Sequence, residues 1–277
     1  MKNSQETDPM GLLEGNVALV TGGGAGIGRG IVRRFVREGA SVVIAEYDEE
    51  RGRQVERECA ELGGKALFVA TDVGDKASVE RAVQAAVDTY GGLDTLVNNA
   101  FAPSPEVLLE KKTDAILART LDTTLWASWW AIKAAYPHFR ARGAGSVINF
   151  YSIDADTGAW RHADYNIGKS AIRGLTHSAA SEWGRFNIRV NAIAPAAAGL
   201  SFERLCREHP GFEKVSAGAK PLNRIGYPEE DIAPVAVFLA SQMATYVTGQ
   251  TIAVDGGLHL WGFNSKPANL AELDAEG

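Results

Sequence analysis

Apolar and polar positions along the chain alternate between two patterns: short unbroken apolar runs, and longer stretches with helical periodicity. Asn16-Val-Ala-Leu-Val20 is the first run, followed by Thr21-Gly-Gly-Gly-Ala-Gly-Ile-Gly28 and a helical stretch to about Glu38. Ser41-Val-Val-Ile-Ala45, Ala66 to Thr71, Leu93 to Asn99, Ser146 to Tyr151, Ile188 to Ile193 and Thr251 to Val254 repeat the apolar run. Between them lie helical stretches, among them Asp75–Tyr90, Thr113–Arg142, Ala163–Trp183 and Pro228–Ser241. Unbroken apolar runs predict strands covered on both faces, and strands that alternate with helices predict a parallel sheet. The expected architecture is α/β: one doubly wound, seven-stranded parallel sheet with helices on both faces. It spans residues 13–261, with polar tails at 1–12 and 262–277. Residues 196–222 contain no clear strand and read as a long, partly apolar loop over a strand edge, a candidate lid.

Composition removes several classes of function. The chain has 277 residues, 45% hydrophobic and 22% charged, as expected of a globular protein. The net charge of -6 includes no basic run, which argues against a nucleic-acid partner and against an anionic membrane surface. No apolar stretch is long enough to span a bilayer. Cys59 and Cys206 stand far apart and the five histidines fall in no ligand-like spacing, so no disulfide framework and no metal site is expected. With no signal-peptide pattern at the start, a cytoplasmic setting is expected.

Chemistry enters at the ends of the runs. A strand, a glycine turn and a helix open a mononucleotide-binding unit, in which missing Cβ atoms let a pyrophosphate approach the backbone and the helix N-terminus faces the anion. The spacing here is Gly22-x-x-x-Gly26-x-Gly28. Glu46 ends the second run, where an acidic side chain accepts hydrogen bonds from adenosine ribose hydroxyls. The stretch Glu46-Tyr-Asp-Glu-Glu50 holds no cation for a 2′-phosphate, so NAD is expected over NADP. Ser152 follows the fifth run, at the strand end where open α/β sheets bind ligands. Tyr165 and Lys169 are four apart on a predicted helix and share one face. A cation beside a phenol favours phenolate, so the pair is expected to let Tyr165 exchange protons near neutral pH. Tyr-x-x-x-Lys also occurs by chance in many helices; the glycine turn is what gives the pair its context.

Together these motifs resemble the short-chain dehydrogenase/reductase family over residues 13 to 258. Thr21-Gly22-x-x-x-Gly26-Ile27-Gly28 resembles its cofactor turn, Asp72-Val73 its adenine contact, and Asn98-Asn99-Ala100 its fourth-strand signature. Ser152, Tyr165 and Lys169 match its catalytic trio. Asn191, Pro195, Val247-Thr248-Gly249 and Asp255-Gly256-Gly257 match its later signatures. The resemblance implies a single-domain Rossmann fold, a homotetramer, and hydride transfer between a nicotinamide and a secondary alcohol or ketone carbon. It implies Tyr165 as general acid/base, Lys169 as the group that tunes Tyr165 and holds the nicotinamide ribose, and Ser152 as the group that orients the substrate oxygen. Its cofactor contacts carry over to Gly22, Ala25, Gly26, Ile27, Gly28, Glu46, Tyr47, Asp72, Val73, Asn99, Ala100, Tyr165, Lys169, Pro195, Ala196 and Ala198.

The departures concern the pocket. Phe101 stands where the family has glycine and is expected to wall the nicotinamide end. Thr124 takes the place of the asparagine that supports a helix distortion and a proton relay. Ala196 and Leu200 fall where the family has glycine and threonine, with Ser201 as a stand-in. Phe202 belongs to the candidate lid. Trp160 reads as a pocket wall or a subunit contact, and Asp154 and Asp156 as contacts to substrate hydroxyls or as turn caps. Trp126, Trp129 and Trp130 share one helical face and read as core or subunit interface, and His162, beside the helix of Tyr165, reads as a substrate contact or a surface histidine. Two other functions fit the same motifs: an NADPH-dependent 3-oxoacyl-thioester reductase, and a dinucleotide-binding protein without catalysis.

Overall fold

The computed structural model describes residues 11–261, so most of the expected N-terminal tail and all of the C-terminal one lie outside the described residues. Strands β1 (Val17–Thr21), β2 (Ser41–Glu46), β3 (Lys65–Ala70), β4 (Thr95–Asn98), β5 (Gly145–Phe150), β6 (Ile188–Pro195) and β7 (Thr251–Val254) form one sheet in the order β3-β2-β1-β4-β5-β6-β7. Every pairing is parallel. The order reverses between β1 and β4, which opens a crevice at their carboxyl ends.

Helices α1 (Gly26–Arg37), α2 (Glu49–Glu61), α3 (Lys76–Tyr90), α4 (Asp114–Leu121), α5 (Ala127–Arg142), α6 (Asp154–Thr157), α7 (Ala163–Trp183), α8 (Leu200–Glu208), α9 (Phe212–Gly218), α10 (Ala233–Ala240) and α11 (Leu258–Trp261) follow in chain order. The strand side chains alternate between two cores. Ala18 and Val20 of β1 face Ile31, Val32 and Phe35 of α1 and Ala236 of α10. Val17 and Leu19 face Val79 and Val83 of α3, Ile132 and Phe139 of α5, and Leu175 of α7. This alternation explains the unbroken apolar runs, because both faces of each strand are covered. Burying side chains such as Phe35 and Ile132 contributes about 1.5–3 kcal/mol each. No helix among the described residues is long and apolar enough to cross a membrane.

Two expectations are corrected. The 196–222 stretch is not a loop: it contains α8 and α9, and neither helix buries a residue. Their one ring contact is mutual, Phe202 against Phe212 with centroids 5.7 Å apart. The single helix expected over Thr113–Arg142 is interrupted by a π-helical turn, Asp122–Trp126. Its cause is in the sequence: Thr123 and Thr124 donate their hydroxyls back to the carbonyls of Arg119 and Thr120. Such back-bonds compete with the regular ladder and bend helices. A threonine at the family's asparagine position therefore coexists with the distortion whose support was in question.

Candidate active site

The glycine turn sits at the crevice. Gly22 and Gly26 have φ of 65° and 50°, left-handed values that a side chain resists. The turn is bolted to the end of β4. Thr21 Oγ1 accepts from the N–H groups of Asn99 and Ala100 at 3.0 and 3.1 Å. Asn99 Nδ2 donates to the carbonyls of Thr21 and Gly22 at 2.9 and 3.1 Å. Ala25 caps α1 without any side-chain hydrogen bond, so the first-turn N–H groups, including that of Ile27, have no side-chain acceptor. Unsatisfied donors at a helix start suit a pyrophosphate. A Cβ on Gly24 would meet the Glu46 side chain at 2.7 Å. The turn and its neighbours thus have the shape and the donors that a dinucleotide needs.

Glu46 bends back over this turn. Its Oε2 accepts from Gly24 N–H at 2.9 Å, while Oε1 accepts from the N–H groups of Tyr47 and Asp48 at 2.9 and 3.1 Å. Tyr47 next to it is 77% exposed. Asp72 closes a turn by accepting from Gly74 N–H at 2.9 Å, and Val73 leans on the α3 side of the core. After β6, the N–H of Ala196 donates to Val254 and that of Ala198 to Gly226, at 3.0 and 2.8 Å. Those two donors are already spent inside the chain, and Pro195 has none. Residues Gly199 and Leu200 overhang Gly26 at 3.6 Å from an added Cβ.

Ser152 is buried just beyond β5, where its hydroxyl accepts from Asp154 N–H at 3.2 Å and favours the ionised form of the neighbouring Tyr165 phenol. Phe101 stands edge-on to Tyr165 with ring centroids 5.0 Å apart. Lys169 is buried, and its ammonium donates to the Phe150 carbonyl at 2.8 Å, 5.7 Å from the centre of the Tyr165 ring. The expected direct pairing of ammonium and phenol does not occur in this state. A buried ammonium needs an acceptor, and the end of β5 supplies one. The pKa directions follow. Burial pushes Tyr165 up to about 12, opposed by the Ser152 hydrogen bond and reinforced by Asp154. Burial pulls Lys169 down to about 8. In the protein alone, burial is the largest influence on the Tyr165 phenol and favours its neutral form.

Thr124 lies in the π-helical turn with its hydroxyl 2.7 Å from where a Gly168 side chain would begin, so it backs the helix between Tyr165 and Lys169. Its carbonyl accepts from Ser128 Oγ at 2.8 Å. Asp156 is a structural anchor, accepting from Tyr151 and Arg173 at 2.8 Å each. Trp160 is 79% exposed, and Phe202 is occupied by Phe212.

Sequence reading missed a ring of charge around Tyr165. His162 caps α7 with its ring centroid 5.9 Å from that of Tyr165. It lies 3.8 Å from Glu106 and 3.7 Å from Asp154. Arg204 of α8 reaches Glu106 at 3.0 Å. Asp164, the residue before Tyr165, is 1% exposed and paired with Lys112. Only its place beside Tyr165 could have drawn attention to it.

Comparison with known proteins addresses the family and the fold. A family model described as enoyl-(acyl carrier protein) reductase matches residues 22–259. A 3-oxoacyl-(acyl carrier protein) reductase from Chlamydia pneumoniae is 37% identical over 246 residues, 89% of this chain and 98% of the relative. L-Fucose dehydrogenase from Bos taurus is 37% identical over 265 residues, 94% of this chain and 95% of the relative. A crystal structure from Sinorhizobium meliloti, assigned to the short-chain alcohol dehydrogenases, superposes with a TM-score of 0.83 at 32% identity, covering 89% of this chain and 97% of that one.

Proposed function

Because the chain belongs to the short-chain dehydrogenase/reductase family, we propose that it transfers hydride between NAD and a secondary alcohol or ketone carbon, with Tyr165 as general acid/base. The observation that carries this reading is that Ser152, Tyr165 and buried Lys169 meet at the same sheet edge as the glycine turn. NAD supplies the hydride acceptor when bound. The α1 N-terminus and Gly22 to Gly28 hold its pyrophosphate, and Asn99 and Ala100 keep that turn in place. Ser152 orients the substrate oxygen. In reduction the protonated Tyr165 phenol gives its proton to the carbonyl oxygen, and in oxidation its phenolate takes the proton from the substrate hydroxyl. Lys169 stays positioned by Phe150.

Glu46 supports NAD over NADP. A 2′-phosphate beside its carboxylate would meet like charge, worth about 4 kcal/mol at about 4 Å near a surface. The same feature disfavours the NADPH-dependent 3-oxoacyl-thioester reading. Exposed Trp126 at the end of the π-helical turn, Trp129 on α5 and Ile167 on α7 support a homotetramer built on α5 and α7. Incubation with NAD and a panel of secondary alcohols, followed by NADH absorbance, tests the function. Turnover by the wild type and its loss in Tyr165→Phe is expected; full turnover by that variant overturns the assignment of Tyr165.

A further inference from the structure

The segment 99–113 carries Phe101 against Tyr165 and Glu106 against His162, yet none of its residues is buried as a whole and it contains only one short 3-10 turn, Leu109–Lys111. A segment with so little apolar anchorage would be expected to move. What ties it down is polar and deep. Lys112 turns its side chain inward, 5% exposed, and pairs with Asp164, which is 1% exposed. The same ammonium donates to the Pro105 carbonyl. Asp164 also accepts from Thr120 Oγ1 at 2.6 Å and from Ser104. Thr120 in turn accepts through its carbonyl from Thr124, the hydroxyl that backs Gly168. One carboxylate thus joins the pocket segment, the π-helical turn and the first turn of α7.

Burial would raise the Asp164 pKa, but the bonds from Lys112, Ser104 and Thr120 hold it at about 2, so the carboxylate is ionised across the useful pH range. Buried ion pairs are poor sources of stability, since apolar residues of like volume often serve as well. In some proteins such pairs serve instead to specify one particular arrangement.

We infer that Lys112 and Asp164 are positioning residues for the reaction proposed above: the pair clamps segment 99–113 to the start of α7 and so sets Phe101 and the Thr124 turn against Tyr165 and Lys169. The pair touches no reacting atom. Its removal should act on the chemical step and leave the glycine turn alone.

The test uses three variants of the full chain: Lys112→Met, Asp164→Asn and the double variant Lys112→Met/Asp164→Leu. Each single variant leaves a buried group unpaired, so a lower Tm is expected; the double variant should recover Tm. The discriminating readout is kcat. In the double variant it should stay about 10- to 100-fold down, the scale of a misplacement of about 1 Å, with KM for NAD within about twofold of wild type. Recovery of kcat together with Tm would make the pair merely structural and overturn the inference. Unchanged kcat in both single variants would do the same. If the wild type turns over no alcohol, the proposed function fails, and the inference is then read from the ultraviolet titration of Tyr165, assigned with Tyr165→Phe. A shifted phenol midpoint in the double variant supports positioning, and an unshifted one overturns it.

Discussion

Replacing Gly28 by alanine puts two opposite effects into direct competition. Inside a helix, alanine is favoured over glycine by about 1 kcal/mol, so local propensity alone predicts stabilisation. The packing predicts the reverse. A Cβ at residue 28 would lie 2.0 Å from the Gly22 carbonyl oxygen, 2.6 Å from Asn99 Nδ2 and 2.8 Å from the Gly22 carbonyl carbon. Two of these atoms are backbone and the third is held by hydrogen bonds to Thr21 and Gly22, so none can swing aside. Relief requires the first turn of α1 to back away from the glycine turn by about 1 Å. Overpacking of this kind costs about 1–3 kcal/mol, and loss of the two Asn99 bonds adds about 1 kcal/mol each. Against the helical gain, the balance is about 2–4 kcal/mol of destabilisation. For a chain of this size that lowers Tm by roughly 5–15 °C. Thermal melts with and without NAD are the assay. NAD at about 100 times its Kd should add about 2.7 kcal/mol to the wild type, and this upshift should vanish in Gly28→Ala. A Tm equal to or above wild type would refute the packing argument, and a retained NAD upshift would separate this turn from dinucleotide binding.

Four further outcomes follow from the site. Wild-type kcat/KM should favour NAD over NADP by more than about 100-fold, given about 4 kcal/mol of charge repulsion at Glu46. In Glu46→Gln the ratio should fall below about 10, and a wild type that prefers NADP would contradict the role of Glu46. In the protein without cofactor, the phenol assigned by the difference between wild type and Tyr165→Phe should ionise only near pH 12; a midpoint near 8 would show that Lys169 dominates burial. Lys169 has a folded pKa lowered to about 8 from 10.5, so the unfolded chain holds the extra proton between those values. The cost of its buried charge is present below pH 8 and relieved as pH rises from 8 to 10.5. Urea unfolding should therefore show the wild type gaining stability relative to Lys169→Met across that window, and a flat difference would contradict the burial. Finally, Gly174 lies within α7 with nothing inside 4 Å of an added Cβ, so Gly174→Ala should raise Tm by up to a few degrees; a fall would mean that a partner subunit covers that face.

The sequence alone determined everything that depends on local period and local chemistry. Unbroken apolar runs mark strands covered on both faces, and each of the seven begins and ends within two residues of its expected position. Helical spacing put Tyr165 and Lys169 on one face, and Gly22 to Gly28 could be read as a turn because missing side chains are visible in one dimension. Tertiary structure decided what depends on who meets whom. Lys169 reaches the Phe150 carbonyl instead of the phenol because a buried ammonium takes the acceptor that packing offers. Burial, a property of the assembled fold, then favours the neutral form of the Tyr165 phenol. His162 comes beside Tyr165, and Lys112 finds Asp164, only when β4, β5 and α7 converge at one sheet edge. No periodicity records such pairings, because the partners belong to different elements and are brought together by the crossovers of the sheet.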